Sequence, residues 1–271
     1  MQREMKKSYR GVIMDLDGCV YVADRPTHGA VEALEKLRRL GIKTLYVTNN
    51  PGKTSEDCAE MLRRMGIRCD AEDFLTVGEA TALYIYSRSG RSKVLVITEN
   101  GVKEYCRRIG HKLLDLSEWM QAEYVIVGHD HEINYQKLTA GLRAILNGAV
   151  FIGTNPDVTH PGRDGIEPGS GAIIAPFKAM TGIDPIIIGK PSEIIMDIAL
   201  EKMKINVENV LVVGDRLDTD VKAGKSIGAD TALVLTGITK KDDLAEVPEE
   251  LKPTYVFRDL LELVQVLFEQ L

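Results

Sequence analysis

With 271 residues, 44% hydrophobic and 27% charged, the chain can bury one large core or two smaller ones and has the composition of an ordinary soluble globular protein. A formal net charge of −6, without a basic stripe, argues against a nucleic-acid-binding surface. No apolar run approaches bilayer length and the basic start MQREMKKSYR has no apolar segment behind it, so a cytoplasmic location is expected.

The first predicted strand, Gly11 to Met14, runs into Asp15 and Asp17 within RGVIMDLDGCVY. On a strand, residues i and i+2 point to the same side, so two like charges there need compensation unless the chain turns. A hard divalent cation would supply it, and a plain DxDG turn is the alternative. Cys19 follows, and it is one of four cysteines, with Cys58, Cys69 and Cys106, that form no CxxC pair. They read as reduced structural thiols and not as a zinc ribbon or a disulfide framework. HGAVEALEKLRRLG then predicts a helix with an apolar stripe at Val31, Leu34, Leu37 and Leu40, stopped by Gly41.

The strand-like run Thr44 to Val47 delivers Thr48, Asn49 and Asn50, and SEDCAEMLRRMG predicts a helix closed by Gly66. Further runs fall at Val94 to Ile97, Tyr124 to Val127, Val150 to Ile152, Pro185 to Ile188, Val210 to Val213 and Thr231 to Leu235. Their alternation with segments of helical period predicts an α/β protein with a largely parallel sheet. GHDHEINY sets His129, Asp130 and His131 after one of these runs. An alternating His pair invites a metal, but the local sequence lacks a third ligand, so a strand-to-helix loop is the preferred reading. GTNPDVTHPGRDG is turn-rich, with Asn155, Asp157, His160 and Arg163 as polar loop candidates.

The run ending at Ile188 leads to Lys190, after which Pro191 and Ser192 open a helix. The run ending at Val213 leads to Asp215, then Asp218, Thr219, Asp220 and a helix closed by Gly228. Asp218 reads best as a cap of that helix. DLLELVQVLFEQL predicts a closing helix whose apolar stripe should pack onto the sheet.

In open parallel sheets, ligands bind beyond the carboxyl ends of the strands. Four strand ends carrying Asp15, Thr48, Lys190 and Asp215 hold the parts of a phosphoryl-transfer site. Two rival readings fail on residues. A P-loop ending in Gly52, Lys53 and Thr54 would need glycine where Val47 stands, and PGSGAI lacks the third glycine and the first-strand position of a dinucleotide fingerprint.

Taken in order, DLDGCV, TNN, GKPS and GDRLDTD resemble the four motifs of the haloacid dehalogenase (HAD) superfamily. GTNPD, the following GSGAI and VGHDHEINY are similar to its branch of NagD-type, 4-nitrophenyl phosphate, phosphoglycolate and pyridoxal phosphatases. The resemblance implies a Rossmann-like core with a parallel sheet and helices on both faces, residues 1–80 and 185–271, and an inserted α/β cap of the C2 type over 81–184. Such a cap would exclude water and select the substrate.

The resemblance also implies roles. Asp15 is the nucleophile and Asp17 the general acid and base. Mg²⁺ is held by the Asp15 carboxylate, the Asp17 backbone carbonyl and the Asp215 carboxylate, with Asp220 orienting the cluster. Lys190 neutralises charge on the phosphoryl group, and Thr48, Asn49 and Asn50 bind its oxygens. Cys19 departs from the commoner Thr or Val of its slot, which puts rate or substrate preference in question. The implied activity is Mg²⁺-dependent hydrolysis of a small phosphomonoester: phosphoglycolate, glycerol phosphate, a sugar phosphate or pyridoxal phosphate, with 4-nitrophenyl phosphate as an artificial substrate. A homodimer through the cap is a further implication. The alternatives are a phosphomutase and a non-catalytic binder of phosphate ligands.

Overall fold

Apolar runs bounded by turn residues become buried parallel strands in each of two sheets. The structure, a computed structural model, describes residues 8–162 and 165–269; Arg163, named above as a loop candidate, lies outside them. Numbered in chain order, the strands are β1 (Gly11–Met14), the small pair β2 (Tyr21–Val22) and β3 (Arg25–Pro26), β4 (Lys43–Thr48), β5 (Phe74–Thr76), β6 (Lys93–Ile97), β7 (Lys112–Leu113), β8 (Tyr124–Val127), β9 (Val150–Gly153), β10 (Thr159–Pro161), β11 (Ile166–Pro168), β12 (Ile186–Ile187), β13 (Val210–Gly214), β14 (Asp230–Val234) and β15 (Tyr255–Phe257). The helices are α1 (Ala30–Arg39), α2 (Ser55–Arg64), α3 (Val77–Ser89), α4 (Asn100–Ile109), α5 (Tyr135–Leu146), α6 (Ser170–Thr181), α7 (Glu193–Met203), α8 (Lys222–Ser226) and α9 (Leu260–Leu267).

The chain divides into two compact units. The first, the core unit, holds the chain up to Thr48, Ala59–Leu75 and everything from Lys190 onward. Its sheet has the order β15-β14-β13-β1-β4-β5, with β1 pairing in parallel to both β13 and β4. Every residue of β1 and β13 is buried, as expected for central strands of a parallel sheet covered on both faces. From β1 the chain proceeds to β4 on one side, whereas β13 is followed by β14 on the other. The gap between β1 and β13 is therefore a topological switch point, where α/β sheets hold ligands.

Helix α1 forms where predicted, but its buried face is Ala30, Ala33, Leu34 and Leu37. Val31 and Leu40, expected in the stripe, are 37% and 49% exposed. The spacing i, i+3, i+4, i+7 starts at Ala30, so small alanines and not the valine complete the contact face. Asp259 caps α9 by accepting from the Glu262 N–H at 2.9 Å, and Leu260, Leu263 and Val264 are buried. This closing helix packs against α1 and the edge strand β15.

The second unit comprises Asn49–Cys58 and Thr76–Gly189. Its sheet has the order β12-β9-β8-β6-β7, and all its pairs are parallel. Ile97, Val125, Val127, Phe151, Ile174 and Phe177 form part of its apolar core. Here too a switch point exists: β6 is followed by β7 on one side, and β8 by β9 on the other. β10 and β11 make an antiparallel hairpin in which His160 stands opposite Glu167. No described helix is long and apolar enough to cross a membrane.

Candidate active site

The backbone turns as soon as β1 ends. The Leu16 carbonyl accepts from the N–H groups of Cys19, Val20 and Tyr21 at 3.3, 2.8 and 3.2 Å. Gly18 takes the left-handed φ of +84° that the turn requires, and a Cβ there would collide with the Asp215 carboxylate. As a result the two neighbouring acids meet different partners. Asp17 is exposed and accepts a hydrogen bond from the Tyr21 hydroxyl at 2.9 Å. Asp15 is tied by its N–H to the Val213 carbonyl at 2.9 Å, and its carboxylate faces Lys190.

Lys190 lies at the start of the last core segment, just before Ser192, which caps α7 by accepting from the Ile194 N–H. Its ammonium is 3% exposed by residue and donates to Asp15 Oδ1 at 2.5 Å and to Asp220 Oδ1 at 2.7 Å. Asp220 Oδ2 accepts the Arg216 N–H at 3.2 Å, so both of its oxygens are occupied. Asp215, directly after β13, accepts the Ile238 N–H on Oδ2 at 2.6 Å. Its Oδ1 is buried and has no hydrogen-bond partner among the described residues.

Two carboxylates thus grip one ammonium, and a third, Asp215, lies beside them. Burial pushes the Asp15 carboxyl well above its ordinary range, and Asp220 and Asp215 add to this while Lys190 opposes it. Burial, then the Asp220 charge, lifts Asp215 to about 6. Burial pulls the Lys190 ammonium down, but the Asp15 and Asp220 charges outweigh that and hold it above its ordinary value. The excess negative charge and the orphaned Asp215 oxygen fit a hard divalent cation. Oxygens of Asp15, Asp215 and Asp220 lie within 4.8 Å of one another, and Mg²⁺ is held by few carboxylates together with water and phosphate.

Comparison with known proteins bears on this arrangement. The family described as haloacid dehalogenase-like hydrolase matches residues 12–112, and the HAD-hydrolase-like family matches 187–263. An acid sugar phosphatase from Staphylococcus haemolyticus is 38% identical over 254 residues, 94% of this chain and 95% of its own. The chain belongs to the haloacid dehalogenase-like hydrolase family. A p-nitrophenyl phosphatase from Archaeoglobus fulgidus superposes with a TM-score of 0.89 at 39% identity, covering 95% of this chain and 99% of its own. A glycerol phosphate phosphatase from Mycobacterium tuberculosis, solved in complex with magnesium, gives 0.88 at 29% identity over 94% and 76%. The enzyme is a HAD-family phosphatase, related to the p-nitrophenyl phosphatases, with the α/β fold and the two parallel sheets of that group.

Other residues singled out in this HAD sequence fall as follows. Thr48 ends β4 in the core unit and is 3% exposed. Asn49 and Asn50 belong to the second unit, where Asn49 donates to Asp157 Oδ2 at 3.2 Å, its carbonyl accepts from Asn155, and Asn50 Oδ1 accepts the Gly52 N–H. Cys19 is fully buried, and burial raises its thiol far above the ordinary value. It is an inert packing group, as the scattered cysteine pattern suggests; all four cysteines are free and buried. Asp218, expected as a helix cap, instead pairs with Arg216 at 3.0 and 2.8 Å.

The loop after β14 escaped the sequence reading. Thr236 donates to the Gly18 carbonyl at 2.7 Å, Gly237 leaves room for the Asp215 carboxylate, and Ile238 supplies the N–H that orients it. The last of these contributions is a backbone group, which leaves no residue signature.

Proposed function

We propose that this phosphatase is a Mg²⁺-dependent phosphomonoester hydrolase of small phosphorylated metabolites that works through an aspartyl-phosphate on Asp15. The observation that carries the reading is the quartet at the core switch point: Asp15 gripped by Lys190, Lys190 braced by Asp220, and Asp215 offering a buried oxygen that no group among the described residues satisfies. Asp15, the Asp17 backbone carbonyl and Asp215 would hold Mg²⁺, which when bound offsets phosphoryl charge.

An Asp15 oxygen attacks phosphorus while the ester P–O bond breaks, and Asp17 gives its proton to the departing oxygen. Asp17 then takes a proton from water, whose oxygen attacks phosphorus. The P–O bond to Asp15 breaks, releasing phosphate and restoring the carboxylate. Lys190 balances charge on Asp15 throughout, and Thr48, with Asn49 and Asn50 next in the chain, supplies donors to phosphoryl oxygens. Asp220 acts by positioning Lys190. Substrate choice is assigned to the second unit. The acid sugar phosphatase relatives favour sugar phosphates, with phosphoglycolate, glycerol phosphate and pyridoxal phosphate also in range.

Phosphate release from 4-nitrophenyl phosphate and these esters tests the reading. Hydrolysis is expected with Mg²⁺, should vanish with excess chelator and should return on readdition of Mg²⁺. Release unaffected by the chelator, or none from any ester, would overturn it. Asp17→Asn is expected to slow alkyl esters by about 10²–10⁴-fold. Its effect on 4-nitrophenyl phosphate should be smaller, because that leaving group needs little protonation. Equal losses on both classes would remove Asp17 from the acid role.

A further inference from the structure

Three of the chain's five histidines gather in the second unit, and the chemistry proposed above uses none of them. His129 and His131 follow β8, His160 lies on β10, and Glu167 stands opposite His160 on β11. Glu99 follows β6 directly before α4. Because β6 and β8 flank the switch point of the second sheet, Glu99 and the first two histidines occupy the place where such sheets hold ligands. The local sequence lacks a third ligand for the His pair; the fold brings in His160 and two glutamates.

The geometry brings candidate ligand atoms of these residues close together. The His129 ring lies between the other two, with centroids 4.3 Å from His131 and 4.6 Å from His160. Glu167 Oε2 is 3.8 Å from His131 Nε2 and 3.8 Å from His160 Nε2. Ligand atoms of His129, His160 and Glu167 all lie within 4.8 Å of one another, as do those of Glu99, His129 and His131. A tetrahedron with bonds of about 2.0–2.1 Å has edges of roughly 3.3 Å, a small inward ring rotation away.

Glu99 completes the arrangement from outside. Its Oε1 lies 2.8 Å from His131 Nδ1 and also accepts the His131 backbone N–H at 3.1 Å. With a proton on Nδ1, His131 would donate to the Glu99 carboxylate, the carboxylate–histidine pairing that orients metal ligands, and Nε2 would be the atom left for a metal. The loop is held further by the Glu99 N–H on the His129 carbonyl and by the His129 N–H on Ser170 Oγ. His111 shows the contrast of a structural histidine: Nδ1 takes the Ser92 N–H at 3.1 Å and Nε2 meets the Ala82 carbonyl at 3.0 Å.

We propose that His129, His131, His160 and Glu167, with Glu99 orienting His131, form a second divalent-metal site suited to Zn²⁺ or another first-row ion that favours imidazole. Imidazole donors select such ions over Mg²⁺, so the site is chemically separate from the all-carboxylate one.

The test uses full-length protein without an oligohistidine tag, stripped by chelator and then kept in millimolar Mg²⁺. Titration with Zn²⁺ is expected to give about one ion per chain, and Co²⁺ should develop the visible bands of four-coordinate nitrogen and oxygen ligation. His131→Gln, His160→Gln and Glu167→Gln should each weaken Zn²⁺ binding at least about tenfold, while Asp215→Asn should leave it intact. His131 is exposed, so its variant is expected to fold, and matching metal-free melting curves check this. Zn²⁺ binding equal in wild type and in the histidine variants, displacement of Zn²⁺ by Mg²⁺, or binding of inorganic phosphate but no Zn²⁺ would each overturn the site.

Discussion

Asp15→Asn is expected to abolish turnover while leaving the protein folded. The amide is nearly isosteric and its oxygen can still accept from Lys190, but it is not a nucleophile toward phosphorus, so hydrolysis of every ester should fall on the order of 10⁴-fold or more. Stability should not fall with it. Burial and the Asp220 and Asp215 charges already push the Asp15 carboxyl away from ionisation, and a neutral side chain removes that repulsion. Thermal unfolding of the metal-free variant should therefore match or exceed that of the wild type. Near-normal turnover would remove Asp15 from the chemistry, and a collapsed melting curve would make lost activity uninformative about its role.

Lys190→Met should show the opposite balance, with both activity and stability failing. The ammonium contacts Asp15 at 2.5 Å and Asp220 at 2.7 Å, and Lys190 and Asp220 are only 3% and 2% exposed. Removing it leaves buried carboxylates with no countercharge, and breaking a buried ion pair from one side typically costs about 3–5 kcal/mol. Urea unfolding of the metal-free protein should register a loss of that order. In an Asp220→Asn background the same substitution should cost less, because one stranded charge is already gone, and the difference measures the coupling. A loss below about 1 kcal/mol would mean that these charges behave like a solvated surface pair.

The catalytic candidates were legible because each stands directly after an apolar run. Asp15 follows β1, Thr48 closes β4 and Asp215 follows β13, so strand detection and polar punctuation pointed to one crevice. The central strands could be read for a related reason: buried on both faces, they appear as unbroken apolar runs. Two-residue β7 and the edge strand β15, Tyr255–Phe257, are too short to stand out from loops. Leu34 and Leu37 of the predicted α1 stripe are buried, but Val31 and Leu40 are not, because alanine's small side chain hid Ala30 and Ala33 as parts of the contact face. The Ile238 N–H could not be read at all, since any residue but proline offers one. The histidine cluster was missed because its members lie on separate segments, two of them after neighbouring strands of the second sheet and two on the β10–β11 hairpin, which only the folded chain brings together.

The three-segment makeup of the core unit bears on how the enzyme is born. Lys190 is 175 positions from its partner Asp15, and β1 finds β13 only after the whole second unit has been synthesised. At a ribosomal pace of about 5–20 residues per second, Asp15 emerges roughly 10–35 s before Lys190. During that interval one edge of β1 still lacks its neighbour, and such long-range parallel pairing is slow to form. A nascent or truncated chain ending before Lys190 holds neither the ammonium nor Asp215 and Asp220. On the roles proposed for these residues, hydrolytic competence arrives only with the last third of the polypeptide.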